Sequence, residues 1–173
     1  MDQKQQYLCR ELEILAWNAS VQRANVYVPG LAADDPRKRR FRKQVLEFLA
    51  RQLLPNYGNP MNEAEHRQNI ERLGAHASGI DAELLSGGNY RFGVAQKLLN
   101  LTLKYHWCLG VVVEPPHCPV DRIVLKQTRR SDMSWTQIDD CGPYLEAIDA
   151  IRAVANRESL SIAMWELKCY ARR

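Results

Sequence analysis

Two residues in the middle of the chain have the types and settings for chemistry at a sugar carbon: Lys97, in GVAQK, and Asp121, in PVD. A lysine kept in a dry, positively biased pocket has a lowered pKa, and its neutral amine can attack a sugar C1′ to form a Schiff base. A cation in the first turn of a helix faces the positive end of the dipole at a cost of about a few tenths of a kcal/mol. Lys97, expected in such a turn, therefore points to something else holding it there. A buried carboxylate beside a flipped nucleotide stabilises the oxocarbenium-like charge that grows on the sugar as a base departs, and it can activate the attacking amine or water. The pair needs no metal and no cofactor. Each residue also has a plainer reading, Lys97 as a solvated lysine on a helix rim and Asp121 as a helix N-cap.

The elements that must position this pair are a hairpin and the segment that follows it. Residues 81–109 read as a short helix, a glycine-bearing turn (GGNYRFG) and a long helix with Val94, Leu98, Leu101 and Tyr105 on one face. In a hairpin of this kind the free backbone N–H groups that open the second helix can point at a phosphate, favoured by the dipole. Gly93, Val94 and Ala95 would supply them, with Arg91 beside them. An ordinary αα-hairpin that uses glycine only for its turn has the same pattern. After the loop VVVEPPHCP a basic helix is expected over about 120–130, where Arg122, Lys126, Arg129 and Arg130 recur at helical spacing behind Asp121. A second basic run, PRKRRFRK, places Arg39 and Arg40 among six cations. Such clusters make salt-sensitive phosphate contacts with little sequence readout, or are simply solvated surface.

A flipped base needs a pocket of aromatic and polar side chains. The candidates are Tyr90, Gln96, Trp107, His117 and Cys118, with Trp17 and Asn18 from the first helix. The tryptophans equally suit a core. His106, Cys108, His117 and Cys118 match no common zinc spacing, so no metal site is expected.

GVAQK at the start of a helix, followed by PVD opening another, resembles the helix-hairpin-helix DNA glycosylases, including their endonuclease-III-like, 8-oxoguanine and archaeal branches. The likeness covers roughly residues 81–130. It implies that Lys97 matches the nucleophile of bifunctional members and Asp121 the shared catalytic aspartate. No four-cysteine cluster follows the hairpin, so the iron-sulfur cofactor of some relatives is not expected. The resemblance implies a DNA glycosylase in base-excision repair, with possible β-lyase activity. A phage-defence enzyme acting on hypermodified bases is the variant reading. A DNA-binding module without catalysis and a helical protein-interaction domain are the alternatives from other classes.

The rest of the chain supplies the frame. With 173 residues, 46% of them hydrophobic, one compact domain is expected. Lys and Arg number 24 against 20 Asp and Glu, a net charge of +4 that permits an anionic partner such as duplex DNA without requiring one. The five scattered cysteines fit neither a disulfide framework nor a CxxC site. No signal pattern opens the chain and no apolar run is long enough to span a membrane. The expectation is a cytoplasmic, nucleoid-associated monomer with no membrane contact.

Leu8, Leu12, Leu15 and Ala19 give a first helix, ending before a β-like stretch at residues 25–28. Asp35 and Pro36 open a second helix, with Phe41, Val45, Phe48 and Leu49 as its buried stripe and Pro55 as its stop. Asn62 and Glu65 have capping-box spacing for a third, which Gly79 ends. Two more helices open near Pro143 and Ser159, with stripes at Tyr144, Ile148, Ile151, Ala155 and at Ile162, Trp165, Cys169. The strand-like runs are too short for a sheet, so the fold class is all-α.

Overall fold

The computed structural model describes residues 2–170. Its helices are α1 (Gln3–Val21), α2 (Pro36–Phe48), α3 (Glu63–Ile80), α4 (Phe92–Cys108), α5 (Arg122–Leu125), α6 (Cys141–Arg157) and α7 (Ile162–Cys169), and no strand occurs among the described residues. The fold is all-α.

Local chemistry accounts for most helix starts. Asp2 and Gln5 form a reciprocal capping box at α1. Asp35 caps α2 through the Arg37 amide, with Pro36 in the first turn where its missing N–H costs nothing. Asn62 accepts from the Glu65 amide, Asp140 from that of Gly142 and Ser161 from that of Met164. The β-like stretch after α1 forms a single bridge, Tyr27 to Leu85, which ties the end of α1 to the 3-10 turns Ala82–Leu84 and Ser86–Gly88.

Three boundaries differ from expectation. Pro55 does not stop α2: the chain runs on through a π turn, Leu49–Leu53, and a 3-10 turn, Leu54–Gly58, whose first turn accommodates the proline. Gly79 lies inside α3, which continues to Ile80. The basic helix expected over 120–130 is one turn, Arg122–Leu125. Beyond it the Thr128 hydroxyl donates to the Leu125 carbonyl (2.9 Å) and accepts from the Arg130 amide (3.0 Å), so a side chain takes backbone groups that a helix would use.

α4 is the centre of the molecule. α1 and α3 pack directly on it, and α2 is reached through α3. It is buried on all sides from Phe92 to Lys104, as a helix surrounded by others must be. Five of those buried residues are nevertheless polar: Gln96, Lys97, Asn100, Thr102 and Lys104. Each has a partner, as buried polar groups require. Thr102 donates to the Leu98 carbonyl, Lys104 pairs with Glu166 at 2.9 Å, and the other three organise the site.

Candidate functional site

Lys97 and Asp121 meet. Lys97 Nζ lies 3.6 Å from Asp121 Oδ2, with side-chain exposures of 11% and 9%. Both line one cavity of about 1130 Å³, together with Asn18, Arg23, Leu101, Arg122, Ile123, Trp135 and Tyr170. That space is large enough for a nucleotide.

Asp121 divides its work between its two oxygens. Oδ1 accepts from the amides of Ile123 (2.9 Å) and Val124 (3.1 Å), so the residue is the N-cap of α5. That bond fixes the carboxylate and leaves Oδ2 on the Lys97 side. The cap and the partner of the amine are the same group.

Lys97 lies in the second turn of α4 rather than the first, beyond the reach of most of the dipole field. Burial is what lowers its pKa, helped by Arg23 and opposed by Asp121. Its ammonium sits 4.1 Å from the centroid of the Trp135 ring, which forms one wall around it.

The Trp135 turn is held in place by Gly93. The Gly93 amide donates to the Ile138 carbonyl at 2.8 Å, and a Cβ at position 93 would stand 2.0 Å from the Trp135 carbonyl oxygen. The amides of Val94 and Ala95 bond the Arg91 carbonyl at 3.0 and 3.1 Å. Gly93, Val94 and Ala95 are all buried. Their expected role as phosphate donors is therefore corrected: the glycine serves a close backbone approach within the chain. Arg91 is likewise turned inward, donating to the Ala24 carbonyl.

Of the residues expected in a base pocket, Asn18 alone lines the cavity. Trp17 and Tyr90 stack on each other in the core, with ring centroids 6.3 Å apart, and the Phe41 ring packs edge-on to Trp17 at 6.0 Å and tilted against Tyr90 at 5.9 Å. Trp107 is half-buried in the last turn of α4, away from the cavity lining. Cys118 is buried beneath the Lys104–Glu166 pair, with its thiol pushed well up by burial.

Gln96 and His117 belong to a buried network behind the cavity. Gln96 Nε2 donates to the carbonyls of Val120 (2.8 Å) and Gly93 (2.9 Å), while its Oε1 accepts from the Val120 amide (3.1 Å) and from Asn100 Nδ2 (3.2 Å). Asn100 also donates to the Tyr144 hydroxyl, which bonds His117 Nδ1 at 2.8 Å. The His117 ring stands edge-on to that of His66, 4.8 Å away, and His66 Nδ1 bonds the Tyr57 hydroxyl.

Among the basic residues, Arg122 lines the cavity and Lys126 and Arg129 are exposed beyond it. Arg130 is bound to Glu146 at 2.6 Å. Arg39 and Arg40 are exposed on α2, outside the cavity lining. No group of three His, Cys, Asp or Glu that could hold a metal occurs among the described residues. No helix of them is long and apolar enough to cross a membrane.

No protein-family model, curated protein or solved structure matches the chain. The residues themselves must carry the functional reading. Sequence reasoning missed Trp135 and Arg23 as members of the site, and it missed the clamp of Gln96 on Val120. Trp135 reaches Lys97 only through tertiary docking, and no periodicity signals that. Gly93 carried a signal, a glycine inside a helix start, but the group that approaches it is a carbonyl of this chain.

Proposed function

We propose that the chain is a DNA glycosylase in which Lys97 is the nucleophile and Asp121 its proton acceptor and charge partner. One observation carries this reading: an amine whose pKa is lowered by burial and a carboxylate lie 3.6 Å apart on the wall of a cavity that admits a nucleotide. A buried, perturbed lysine beside a carboxylate in a cleft is a functional-site signature with a physical basis.

The chemistry uses these two groups in sequence. The neutral Lys97 amine forms a bond to C1′ as the bond from C1′ to the base nitrogen breaks, and the base leaves with that electron pair, taking a proton from solvent. Asp121 stabilises the positive charge on the sugar, then accepts the proton that the new C1′ ammonium releases. The nitrogen lone pair then expels O4′ from C1′, O4′ takes the proton from Asp121, and the resulting protonated imine is reduced by hydride to a stable cross-link. Trp135 and Leu101 wall the amine off from water, and this burial favours its neutral, nucleophilic form.

The test is borohydride trapping on duplexes that carry oxidised, alkylated or deaminated bases, with mass spectrometry of the released base. The wild-type chain gives a cross-link on at least one substrate, and the adducted peptide contains Lys97. Lys97→Gln gives none, and Asp121→Asn loses roughly 10²-fold or more in rate. A cross-link that persists in Lys97→Gln, or full excision by Asp121→Asn, ends this reading.

A further inference from the structure

The backbone amides at the start of α4 are spent on the Ile138 and Arg91 carbonyls, so a strand laid across the cavity must be gripped by something else. Besides Lys97, the cations that line the cavity are Arg23, just after α1, and Arg122, the first residue of α5. Both are exposed, and neither has an ion pair or a side-chain hydrogen bond among the described residues. The other arginines near the cavity contrast with them: Arg91 is turned onto the Ala24 carbonyl, and Arg130 is neutralised by Glu146 and Asp132.

Arg23 is also held in an unusual backbone conformation. Its φ is +62°, in the left-handed region that glycine adopts freely and that costs a residue with a Cβ roughly 1 kcal/mol or more. Folding alone would be served better by glycine there. Arg23 directly follows the C-cap of α1, where a left-handed residue commonly ends a helix, so the turn itself does not require arginine.

We infer that Arg23 and Arg122 form a phosphodiester-binding site that holds the backbone of the strand whose sugar reaches Lys97. This rests on DNA being the substrate, as proposed above, and replaces the hairpin amides with two guanidinium groups. Guanidinium suits the task because its planar fork bonds phosphate oxygens in pairs. The two arginines come from separate elements that meet at one cavity, so neither needs the other to fold.

The test uses the full chain and a fluorescent duplex carrying a tetrahydrofuran abasic analogue, with affinity measured by anisotropy over a series of KCl concentrations. Arg23→Gly and Arg122→Gln each weaken binding about tenfold at low salt and each reduce the slope of log K against log salt by about one. Arg23→Gly keeps or raises its unfolding midpoint, which separates lost contact from lost fold.

Unchanged slopes in both variants, with wild-type binding intact, overturn the inference alone. A slope lost in Arg39→Gln while both cavity variants keep theirs moves the grip to α2 and also overturns it. Reduced slopes without trapping on any damaged substrate leave the phosphate site standing and remove the glycosylase reading. A wild-type chain that does not bind the duplex at low salt removes both.

Discussion

The side-chain amide of Gln96 bonds both backbone groups of Val120, its Nε2 donating to the carbonyl at 2.8 Å and its Oε1 accepting from the amide at 3.1 Å. It thereby locks the residue before Asp121 to the residue before Lys97, and the register of the lysine and the aspartate becomes a property of one side chain. Asn100 fixes which way the amide faces by donating to Oε1.

Gln96→Leu fills the same space without the four bonds, leaving the Val120 amide and carbonyl buried and unpaired. The expected cost is about 2–6 kcal/mol, since each of the two orphaned buried groups costs about 1–3 kcal/mol. Urea unfolding measures it. Gln96→Glu keeps the acceptor for the Val120 amide but sets a carboxylate against two carbonyls, so it too destabilises the chain. If either variant unfolds at the wild-type urea concentration, the clamp has no energetic weight.

His66 and His117 make stability depend on acid. Burial pushes both imidazoles down to about 3, and they sit edge to face in the core. Glu63 lies 3.6 Å from His117 Nε2 but is held by Arg152 at 2.6 Å, so it offers the ring little relief. In the unfolded chain both titrate at their ordinary value of 6.5. Between that value and about 3 the unfolded chain therefore binds protons that the folded chain refuses, and stability falls as pH falls. The part of the urea midpoint that these histidines set is expected to be complete above about pH 7 and to drop steadily below about pH 6. His66→Gln is less stable at neutral pH and has a shallower acid slope. A slope identical to wild type would show that these rings do not titrate on unfolding.

Periodicity revealed the apolar frame and little of the polar interior. Val94, Leu98 and Leu101 read as the buried stripe of α4 and are buried. Lys97, Asn100 and Lys104 fall on what spacing reads as the wet face, yet they are buried too. Their partners, Asp121, Tyr144 and Glu166, lie far away in the chain, and only docking of α5, α6 and α7 removes the water. Lys97 and Asp121 stood out in the sequence and do lie together, although Lys97 is in the second turn of α4 rather than the first. Trp135, Arg23 and the Gln96 clamp did not stand out, because each acts through contacts that no local spacing encodes. The base pocket failed for the converse reason: Trp17 and Tyr90 are large, and size sent them to the core.

Gly93→Ala places a methyl group where the Trp135 carbonyl oxygen stands 2.0 Å away, against backbone that cannot turn aside. The 131–138 loop must then lift from α4 and break the bond between the Gly93 amide and the Ile138 carbonyl. Overpacking of this kind costs about 1–3 kcal/mol. The nearby Gly79→Ala, with nothing within 4 Å of its Cβ, serves as a control that keeps or gains stability. Thermal unfolding of the two variants compares them, and equal midpoints would mean that the loop does not dock as described. Tryptophan fluorescence supplies a second readout, because Trp135 gains solvent as its turn lifts.

The Lys97 amine is held below its ordinary 10.5 by burial, while Asp121 acts in the opposite direction. Removing the carboxylate charge therefore lowers the amine further, provided that the cavity stays dry. Reductive methylation with formaldehyde and cyanoborohydride, read by mass spectrometry of the Lys97 peptide across pH, follows the neutral fraction directly. In the wild-type chain the Lys97 midpoint lies below the ordinary lysine value of 10.5. In Asp121→Asn the Lys97 midpoint moves lower still, by roughly a unit for every 1.4 kcal/mol of ion-pair energy lost. The same depression has a stability signature. From the folded pKa up to 10.5 the unfolded chain carries the extra proton, so stability rises with pH across that window. Trp135→Ala tests the wall: opening it to water raises the Lys97 midpoint, since the gain in solvation outweighs the lost ring contact. A Lys97 midpoint at the ordinary 10.5 in every variant would mean that this amine is wet and ordinary, and the chemistry assigned to it would have no basis.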